Sequence, residues 1–385
     1  MFWNKKAAAP AEGLDSVLID ALRTVDDPEL HKDLVSLGMV KSAVLKDGAA
    51  DITIELTTPA CPLKDTIRAD IEAAVEQVRP DTTVQITWTA QVRQPPRAGG
   101  KGAGMDALKD VANIVLVASG KGGVGKSTVA TNLAVALARS GAKVGLLDAD
   151  IYGPSIPTMF GIHEGLQSSD GKTIDPHWLG GLKLVSMGFL IPPEKAMIWR
   201  GPMLHSAVLQ FLRDVAWGEL DYLVVDLPPG TGDVQLTFAQ QVPVTGAVVV
   251  STPQPVALAD VVRANAMFDS VDIPILGLVE NMSYFVCDNC DKRHHIFDHG
   301  GAKRAAEHFD MAFLGELPID PSIRAAGDSG LPITAAEPES PAGRAYVKLA
   351  QRVAGRVSVV NADAAAKAAA AAPSPQAGRR LPIIS

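Results

Sequence analysis

The chain has 385 residues, of which 47% are hydrophobic and 20% charged, and its 35 basic and 43 acidic side chains give a formal charge of −8. This composition provides enough apolar material for folded cores, and the length indicates two or three domains rather than one. The acidic balance and the lack of a basic stripe argue against nucleic acid as a partner, because phosphate backbones favour clustered positive charge.

Three cysteines cannot form a disulfide framework in a chain of this length, and the odd number leaves at least one thiol unpaired. Unpaired thiols are typical of a reducing compartment. The N-terminus lacks the apolar core of a secretory signal, and no stretch approaches the roughly 18 consecutive apolar residues of a membrane helix. We therefore predict a cytoplasmic protein with no membrane partner.

Residues 14–90 have the pattern of a small α+β domain, preceded by a predicted flexible N-terminus at 1–13. Apolar and polar residues alternate over 51–57 and over 84–88, which predicts two strands with one buried face. Between these strands, apolar residues recur at helical spacing at positions 67, 71, 75 and 78. This segment predicts a helix packed on the strands.

The first cysteine of the chain, Cys61, precedes this predicted helix, and Pro62 stands where a first helical residue would be. At a helix N-cap the Cys61 thiolate would be favoured, which predicts a reactive thiol or a transient metal ligand. A lone cysteine is also often a small buried apolar residue. The sequence leaves both interpretations open.

Beyond a Pro-, Gly-, Arg- and Lys-rich linker predicted at 91–107, residues 108–360 have the pattern of a larger α/β domain. Short continuous apolar runs alternate with helical stretches, and they lie at 114–117, 144–147, 223–225, 247–250 and 275–279. Continuous runs favour strands buried on both faces, so we predict a mostly parallel sheet covered by helices. An Ala- and Pro-rich mobile tail is predicted at 361–385.

The most informative motif is a complete G-x-x-x-x-G-K-[ST] at 120–127, between an apolar strand and an Ala- and Leu-rich helix. Glycines let backbone N–H groups face phosphate oxygens, and the helix N-terminus adds partial positive charge. Lys126 is predicted to neutralise the β- and γ-phosphates, and Ser127 to bind Mg²⁺. The predicted nucleotide site consists of Gly120, Lys121, Gly122, Gly123, Val124, Gly125, Lys126, Ser127 and Thr128.

Acidic residues follow two of the predicted strands, as a nucleotide triphosphatase requires. Asp226 ends one apolar run, where a contact with Mg²⁺ belongs. Asp148 and Asp150 end another, and acids at i and i+2 of an extended chain point the same way, so both are predicted to face one metal or water cluster. The polar segment 230–233 is predicted to sense a γ-phosphate and to move on hydrolysis.

Cys287 and Cys290 form a C-x-x-C pair, with His294 and His295 shortly behind it. Two thiolates cannot complete a 4Fe-4S cluster, but a two-fold dimer would supply four. A zinc site within one chain, completed by one of the histidines, and a redox-active dithiol are the alternatives. The residues alone leave all three open.

The extra lysine at 121 resembles the deviant Walker A ATPases, which include the MinD, ParA and nitrogenase iron protein types. Over about 111–353 the chain more closely resembles the Mrp/ApbC-type iron-sulfur cluster carriers. The motifs that carry this resemblance are DADIYGPSIP at 148–157, RGPM at 200–203, DLPPGTGD at 226–233, STPQ at 251–254, ENMS at 280–283 and the cysteine pair. VDDPE at 25–29, LG at 37–38 and LTTPACPL at 56–63 resemble the small iron-sulfur assembly domain that often precedes such an ATPase.

The resemblance implies roles for individual residues. Lys121 would reach across a dimer to the partner's nucleotide, and Lys126 would act with it in catalysis. Asp150 would position the attacking water, Asp226 would help to hold Mg²⁺, and Asn281 would contact the adenine.

The resemblance also implies the function of the whole chain. It predicts a carrier that binds and hydrolyses ATP and holds a labile 4Fe-4S cluster between the Cys287/Cys290 pairs of a homodimer. Its partners would be apo iron-sulfur proteins and cluster-assembly scaffold proteins. The rival interpretations are a ParA- or MinD-like positioning ATPase and an ATPase scaffold with structural zinc at the cysteine pair.

Overall fold

The computed structural model describes residues 14–46, 48–94, 106–151, 153–190, 201–230, 235 and 241–371. The first unit is built from α1 (Ser16–Leu22), β1 (Asp26–Asp27), β2 (Lys32–Asp33), β3 (Val40–Lys46), β4 (Ala49–Leu56), α2 (Lys64–Val78) and β5 (Thr83–Ala90). β4 pairs antiparallel with β3 and parallel with β5. The inward residues of β4 meet the apolar face of α2 in one core, which confirms the small α+β fold.

The second unit begins after a 3₁₀ turn at Asp106–Leu108, and a second such turn lies at Met187–Leu190. Its strands are β6 (Val111–Ala118), β7 (Val144–Asp148), β8 (His177–Leu179), β9 (Leu182–Ser186), β10 (Leu220–Asp226), β11 (Gly246–Ser251), β12 (Ile275–Val286), β13 (Arg293–His294) and β14 (Phe313–Pro318). Its helices are α3 (Lys126–Arg139), α4 (Ile156–Met159), α5 (Gly201–Asp214), α6 (Pro255–Ser270), α7 (Gly301–His308), α8 (Pro321–Asp328), α9 (Ile333–Ala336) and α10 (Pro341–Ala371).

These strands form one mostly parallel sheet in the order β13-β12-β11-β6-β10-β7-β9-β8, and β14 pairs with β12. The five predicted apolar runs are β6, β7, β10, β11 and β12, and each is parallel to its neighbour among them. In β6, Ile114 and Leu116 pack in one core, whereas Val115 and Val117 pack in the core on the opposite face. Burial on both faces explains the continuous runs and confirms the predicted fold class.

The register of the sheet brings the ends of three strands together. Asp226 at the end of β10 pairs with Val117 of β6 on one side and with Asp148 of β7 on the other. Because parallel strands end at the same edge, the start of the phosphate loop and both acids lie side by side.

The last helix, α10, runs through residues 361–371, into the segment predicted as a mobile tail. Alanine has the highest helix propensity, so the helix continues although most of these side chains are exposed. The predicted N-terminus at 1–13, residues 95–105 of the predicted linker and the tail from 372 onward lie outside the described residues. Among the described helices, none combines the length and the apolar character needed to cross a bilayer.

The two units share a buried contact. The Tyr222 hydroxyl of β10 donates a hydrogen bond of 2.9 Å to Oγ1 of Thr58, and both residues are buried. Glu29 of the small unit lies so close to Gly355 of α10 that a Cβ atom at Gly355 would overlap its carboxylate. Burial and the nearby Asp27 raise the pKa of Glu29 to about 7, and Arg356 opposes this rise.

We expect Glu29→Gln to flatten the pH dependence of stability between about pH 4.5 and 7. An acid whose pKa is raised on folding binds more protons in the folded state, so stability falls as the pH rises through this window. After allowing for the partial exposure of Glu29, the free energy of unfolding of the variant at pH 8 should exceed that of the wild type by about 1 kcal/mol. Urea unfolding at pH 5 and pH 8 measures this, and equal slopes in both proteins would contradict it.

Cys61 does not cap α2, which corrects one of the two interpretations of this thiol. The helix begins at Lys64 with Leu63 at the N-cap position, and a turn separates Cys61 from the helical N–H groups. Cys61 packs against the core of the small unit, and burial raises the pKa of its thiol to about 11. The partial burial of Cys61 and the raised pKa of its thiol therefore favour the apolar interpretation of this residue.

Candidate functional site

The phosphate loop joins β6 to α3 and is shaped by two glycines. Gly123 and Gly125 have φ angles of +80° and +81°, a left-handed conformation that side chains rarely adopt. The Ser119 hydroxyl donates to the carbonyl of Lys121 at 2.9 Å, and the Gly230 N–H donates to the carbonyl of Ser119 at 2.9 Å. These bonds tie the loop to the segment after β10, and α3 begins directly at its end.

Lys126 makes a buried ion pair at the start of α3. Its Nζ lies 2.5 Å from Oδ1 of Asp226 and 3.3 Å from Oγ of Ser127. Lys126 is 6% exposed and Asp226 is fully buried. The predicted phosphate ligand and the predicted Mg²⁺ ligand therefore contact each other.

The same carboxylate keeps one oxygen available for a cation. Oδ2 of Asp226 is buried without a hydrogen-bond partner among the described residues. Burial raises the pKa of Asp226, and the Lys126 ammonium opposes this rise. An unpartnered buried oxygen beside the Ser127 hydroxyl is a hard donor set of the kind that Mg²⁺ prefers, so the residues fit this ion.

Asp148 and Asp150 do not both lie on the strand, because β7 ends at Asp148, and their carboxylates have different hydrogen-bond partners. Asp148 accepts a hydrogen bond of 2.8 Å from the Ser186 hydroxyl and one of 3.1 Å from the Asp150 N–H. Asp150 instead accepts from the Gly153 N–H at 3.3 Å. Burial, together with the Asp226 carboxylate, raises the pKa of Asp148 to about 8.

We expect Asp148→Asn to remove a loss of stability that the wild-type chain shows as the pH rises from about 4 to 8. The folded state holds a proton on Asp148 that the unfolded chain releases, so the slope is negative in this window. Between pH 5 and pH 8, the difference in free energy of unfolding between the two proteins should shift in favour of the variant by on the order of a few kcal/mol. Thermal unfolding at both pH values tests this, with Glu29→Gln as a separate reference, and an unchanged slope would contradict it.

A cavity of about 580 Å³ opens beside the N-terminus of α3. Asn281 lines this cavity, and its amide donates to the carbonyl of Val124 at 2.8 Å, so Asn281 contacts the phosphate loop. The cavity also involves residues that no sequence motif indicated: Pro318, Asp320, Ile323 and Arg324. Its size suits a nucleoside, and Asn281 lies at its boundary with the phosphate loop.

The other predicted site residues either have a predicted target in a second subunit or lie outside the described residues. Lys121 is half-buried in the loop, and its predicted target belongs to a second subunit. Residues 231–233 of the predicted switch, Tyr152 and Arg200 lie outside the described residues.

The cysteine pair lies at the tip of a hairpin between β12 and β13. Phe285 and Val286 pair with His294 and Arg293, and the Cys287 N–H donates to the carbonyl of Lys292 at 3.0 Å. Cys287 is half-buried and Cys290 is exposed. Hydrogen bonds from the N–H groups of Asn289 and Cys290 and from the Cys290 side chain lower the pKa of the Cys287 thiol, which favours a thiolate ligand.

The base of this hairpin is fixed by a residue of the ENMS motif to which the sequence assigned no role. The buried carboxylate of Glu280 accepts hydrogen bonds from the Ser283 hydroxyl and from the N–H groups of Gly300 and Ala302, at 2.7 to 3.0 Å. Glu280 thus joins β12 to the start of α7, which holds the hairpin from both ends.

The histidines behind the cysteines have other partners. His295 contacts the carbonyl of Ser283 through Nδ1 at 3.2 Å, and its ring lies 4.0 Å from that of His299. Among the described residues no three His, Cys, Asp or Glu side chains are grouped so that they could hold a metal ion.

A phosphate loop between a buried parallel strand and a helix, with an acid at the end of the adjoining strand, defines a P-loop nucleotide-binding protein. The chain belongs to the family of NUBPL iron-transfer P-loop NTPases, whose model matches residues 110–354. A second model, described as an iron-sulfur cluster assembly protein, matches residues 15–87. These matches confirm the resemblance inferred from the motifs.

Relatives and a solved structure agree with this assignment. The iron-sulfur cluster carrier protein of Deinococcus radiodurans is 50% identical over 90% of this chain and 96% of its own. The protein of the same name from Synechocystis is 46% identical over 90% of this chain and 98% of its own. A nucleotide-binding protein from Archaeoglobus fulgidus, solved in complex with ADP, is 42% identical over 59% of this chain and 90% of its own, with a TM-score of 0.53.

Proposed function

We propose that this chain is an ATP-hydrolysing iron-sulfur cluster carrier. Two copies hold one labile 4Fe-4S cluster between their Cys287/Cys290 pairs and transfer it to apo iron-sulfur proteins. The observation that carries the proposal is the exposed cysteine hairpin on a P-loop ATPase whose relatives are named for cluster carriage. Those names favour the carrier over a positioning ATPase.

The nucleotide part of the proposal is supported by the loop and the cavity beside it. Lys126 would turn from Asp226 to the β- and γ-phosphates of ATP, and Asn281 and its cavity would receive the adenosine. Ser127 and Asp226 would hold Mg²⁺, which supplies charge neutralisation at the phosphates. Asp150 would position the attacking water, and Lys121 would contact the nucleotide of the partner subunit.

The cluster part of the proposal follows from the ligand count. One chain offers two thiols at the hairpin, and among the described residues no third His, Cys, Asp or Glu side chain is grouped with them as a metal ligand. A two-fold dimer offers four thiolates, the number that a cubane requires. Exposure of Cys290 suits a cargo that must reach another protein, and cluster-assembly scaffold proteins would load it.

The direct test is anaerobic reconstitution of the full chain with iron and sulfide. We expect a cubane absorption spectrum and one 4Fe-4S cluster per two chains, together with a dimer in sedimentation. A parallel incubation with zinc is the control for the structural-metal interpretation. Stoichiometric zinc with no iron would overturn the carrier function and favour the scaffold.

ATP and ADP should change the rate at which the cluster leaves the carrier. The γ-phosphate would contact the segment after Asp226 and bias how the two subunits face each other, and the cluster lies between them. We expect rates of transfer to an apo-ferredoxin to differ between the two nucleotides by roughly five- to tenfold, which corresponds to about 1.0 to 1.4 kcal/mol of activation free energy. Equal rates with ATP, ADP and no nucleotide would contradict the switch.

A further inference from the structure

A groove of about 600 Å³ runs along the outer edge of β14. Lys303 of α7 borders it on one side, and Lys348 of α10 borders it on the other. α7 packs in the core on one face of the sheet, and α10 packs in the core on the opposite face. A groove bordered by both helices therefore crosses the edge of the sheet.

The groove is strongly basic in a chain of formal charge −8. Five exposed cationic side chains line it: Arg293, Lys303, Arg344, Lys348 and Arg352. The acid among the lining residues is Glu316, which already contacts the His299 ring at 2.9 Å. Among the described residues, neither Lys303 nor Lys348 has an ion pair, so their charge is available to a ligand.

The floor of the groove is a strand with an open side. Among the described strands β14 pairs with β12 alone, so the main-chain groups on its other side face no strand. Such an edge can take up an extended polypeptide by main-chain hydrogen bonds, with side chains providing specificity. Arg352 crosses above Gly315 and donates to the Leu314 carbonyl at 2.9 Å, so it occupies one main-chain acceptor of β14 and holds a positive charge over the strand.

We propose that this groove binds an extended acidic segment of a partner protein, which adds to β14 as a further strand. Its carboxylates would lie among the cations of α7, α10 and β13. A polynucleotide could use the charges but not the strand edge.

The groove adjoins the cysteine hairpin, because Tyr284 and Val286 line it and Cys287 follows directly. A segment seated on β14 would bring the rest of its protein next to the cluster ligands. Identifying that protein as one that receives the cluster rests on the proposed function, whereas the binding itself does not.

The test uses the full chain and a fluorescein-labelled synthetic peptide of about eight residues with Glu alternating with Val and Thr. We expect anisotropy to report binding that weakens with salt. Lys303→Glu with Lys348→Glu should lower the affinity by about tenfold or more. The matched control, Lys109→Glu with Lys367→Glu, makes the same charge change at exposed lysines outside the groove and should leave the affinity unchanged.

Three results would overturn the proposal. The first is equal affinity of the groove variant and the wild type for the peptide. The second is equal affinity of the wild type for a peptide with Lys in place of Glu. The third is an unchanged affinity when alternate peptide bonds of the peptide are N-methylated. Displacement of the peptide by single-stranded DNA at lower concentration than by unlabelled peptide would assign the groove to nucleic acid. If the wild type binds the cluster but not the peptide, only this inference is overturned. If it binds the peptide but not the cluster, only the carrier function is overturned.

Discussion

Replacing either Cys287 or Cys290 by serine is expected to abolish cluster binding. Each substitution removes two of the four thiolates that a symmetric dimer offers, and an alcohol does not replace a thiolate on iron at neutral pH. Iron and acid-labile sulfide per dimer, with the absorption spectrum, should fall from one cluster to background after anaerobic reconstitution. Because the hairpin tip is exposed, the variants should fold as the wild type does.

Cys61→Ser is the matched control in the same chain. Its thiol is packed in the small unit and its pKa is raised to about 11, so it supplies little thiolate at neutral pH. We expect this variant to bind a full cluster. A Cys287→Ser protein that keeps one cluster per dimer, or a Cys61→Ser protein that loses it, would contradict the bridged site.

The sheet could be predicted from the sequence where both of its faces are buried. Strands such as β6 and β10 lie under helices on both sides, and their continuous apolar runs record this burial. The sequence did not predict β14, because Gly315 and Glu316 interrupt its apolar pattern. Such an interruption suits a strand at the edge of the sheet.

The candidate site, too, could be predicted from the sequence only where it consists of a local motif. The phosphate loop is a local motif, so spacing alone predicts it. The ion pair between Lys126 and Asp226 joins residues 100 positions apart and depends on the register of β6 beside β10. The cavity depends partly on the segment after β14, which none of the sequence motifs covers.

The misassigned cap at Cys61 has a local cause. A proline at the first helical position is common, but here the chain turns once more before α2 begins at Lys64. Helix bounds inferred from periodicity carry errors of a few residues, and such an error changes the chemistry of a capping thiol completely.

Lys126→Met is expected to destabilise the nucleotide-free protein by about 3 kcal/mol at pH 8 and to lower ATP hydrolysis by about 10³-fold. Methionine keeps the length of the side chain but removes the ammonium that lies 2.5 Å from the Asp226 carboxylate. A buried carboxylate without its cation must take up a proton, so the loss should shrink as the pH falls. Urea unfolding at pH 6 and pH 8, with a phosphate-release assay, measures both effects.

The double variant Lys126→Met with Asp226→Asn separates the two roles of this pair. It removes both charges, so it should recover most of the lost stability, while hydrolysis should stay at the level of Lys126→Met. A double variant as unstable as Lys126→Met would show that packing of the lysine, rather than its pairing, stabilises the site. Recovered hydrolysis would remove Lys126 from the catalytic residues.

Asp226→Asn alone extends this reasoning to nucleotide binding. In the wild type the ammonium of Lys126 must leave Asp226 before it can neutralise a phosphate, so the carboxylate and the nucleotide compete for one cation. Removing the carboxylate should therefore tighten the binding of ATP in the absence of Mg²⁺. With Mg²⁺ present the gain should disappear, because Asp226 and the Ser127 hydroxyl are the oxygens that fit the ion. Calorimetry in EDTA and in excess Mg²⁺ distinguishes these cases, and tighter binding in both would contradict the assignment of Asp226 to the metal.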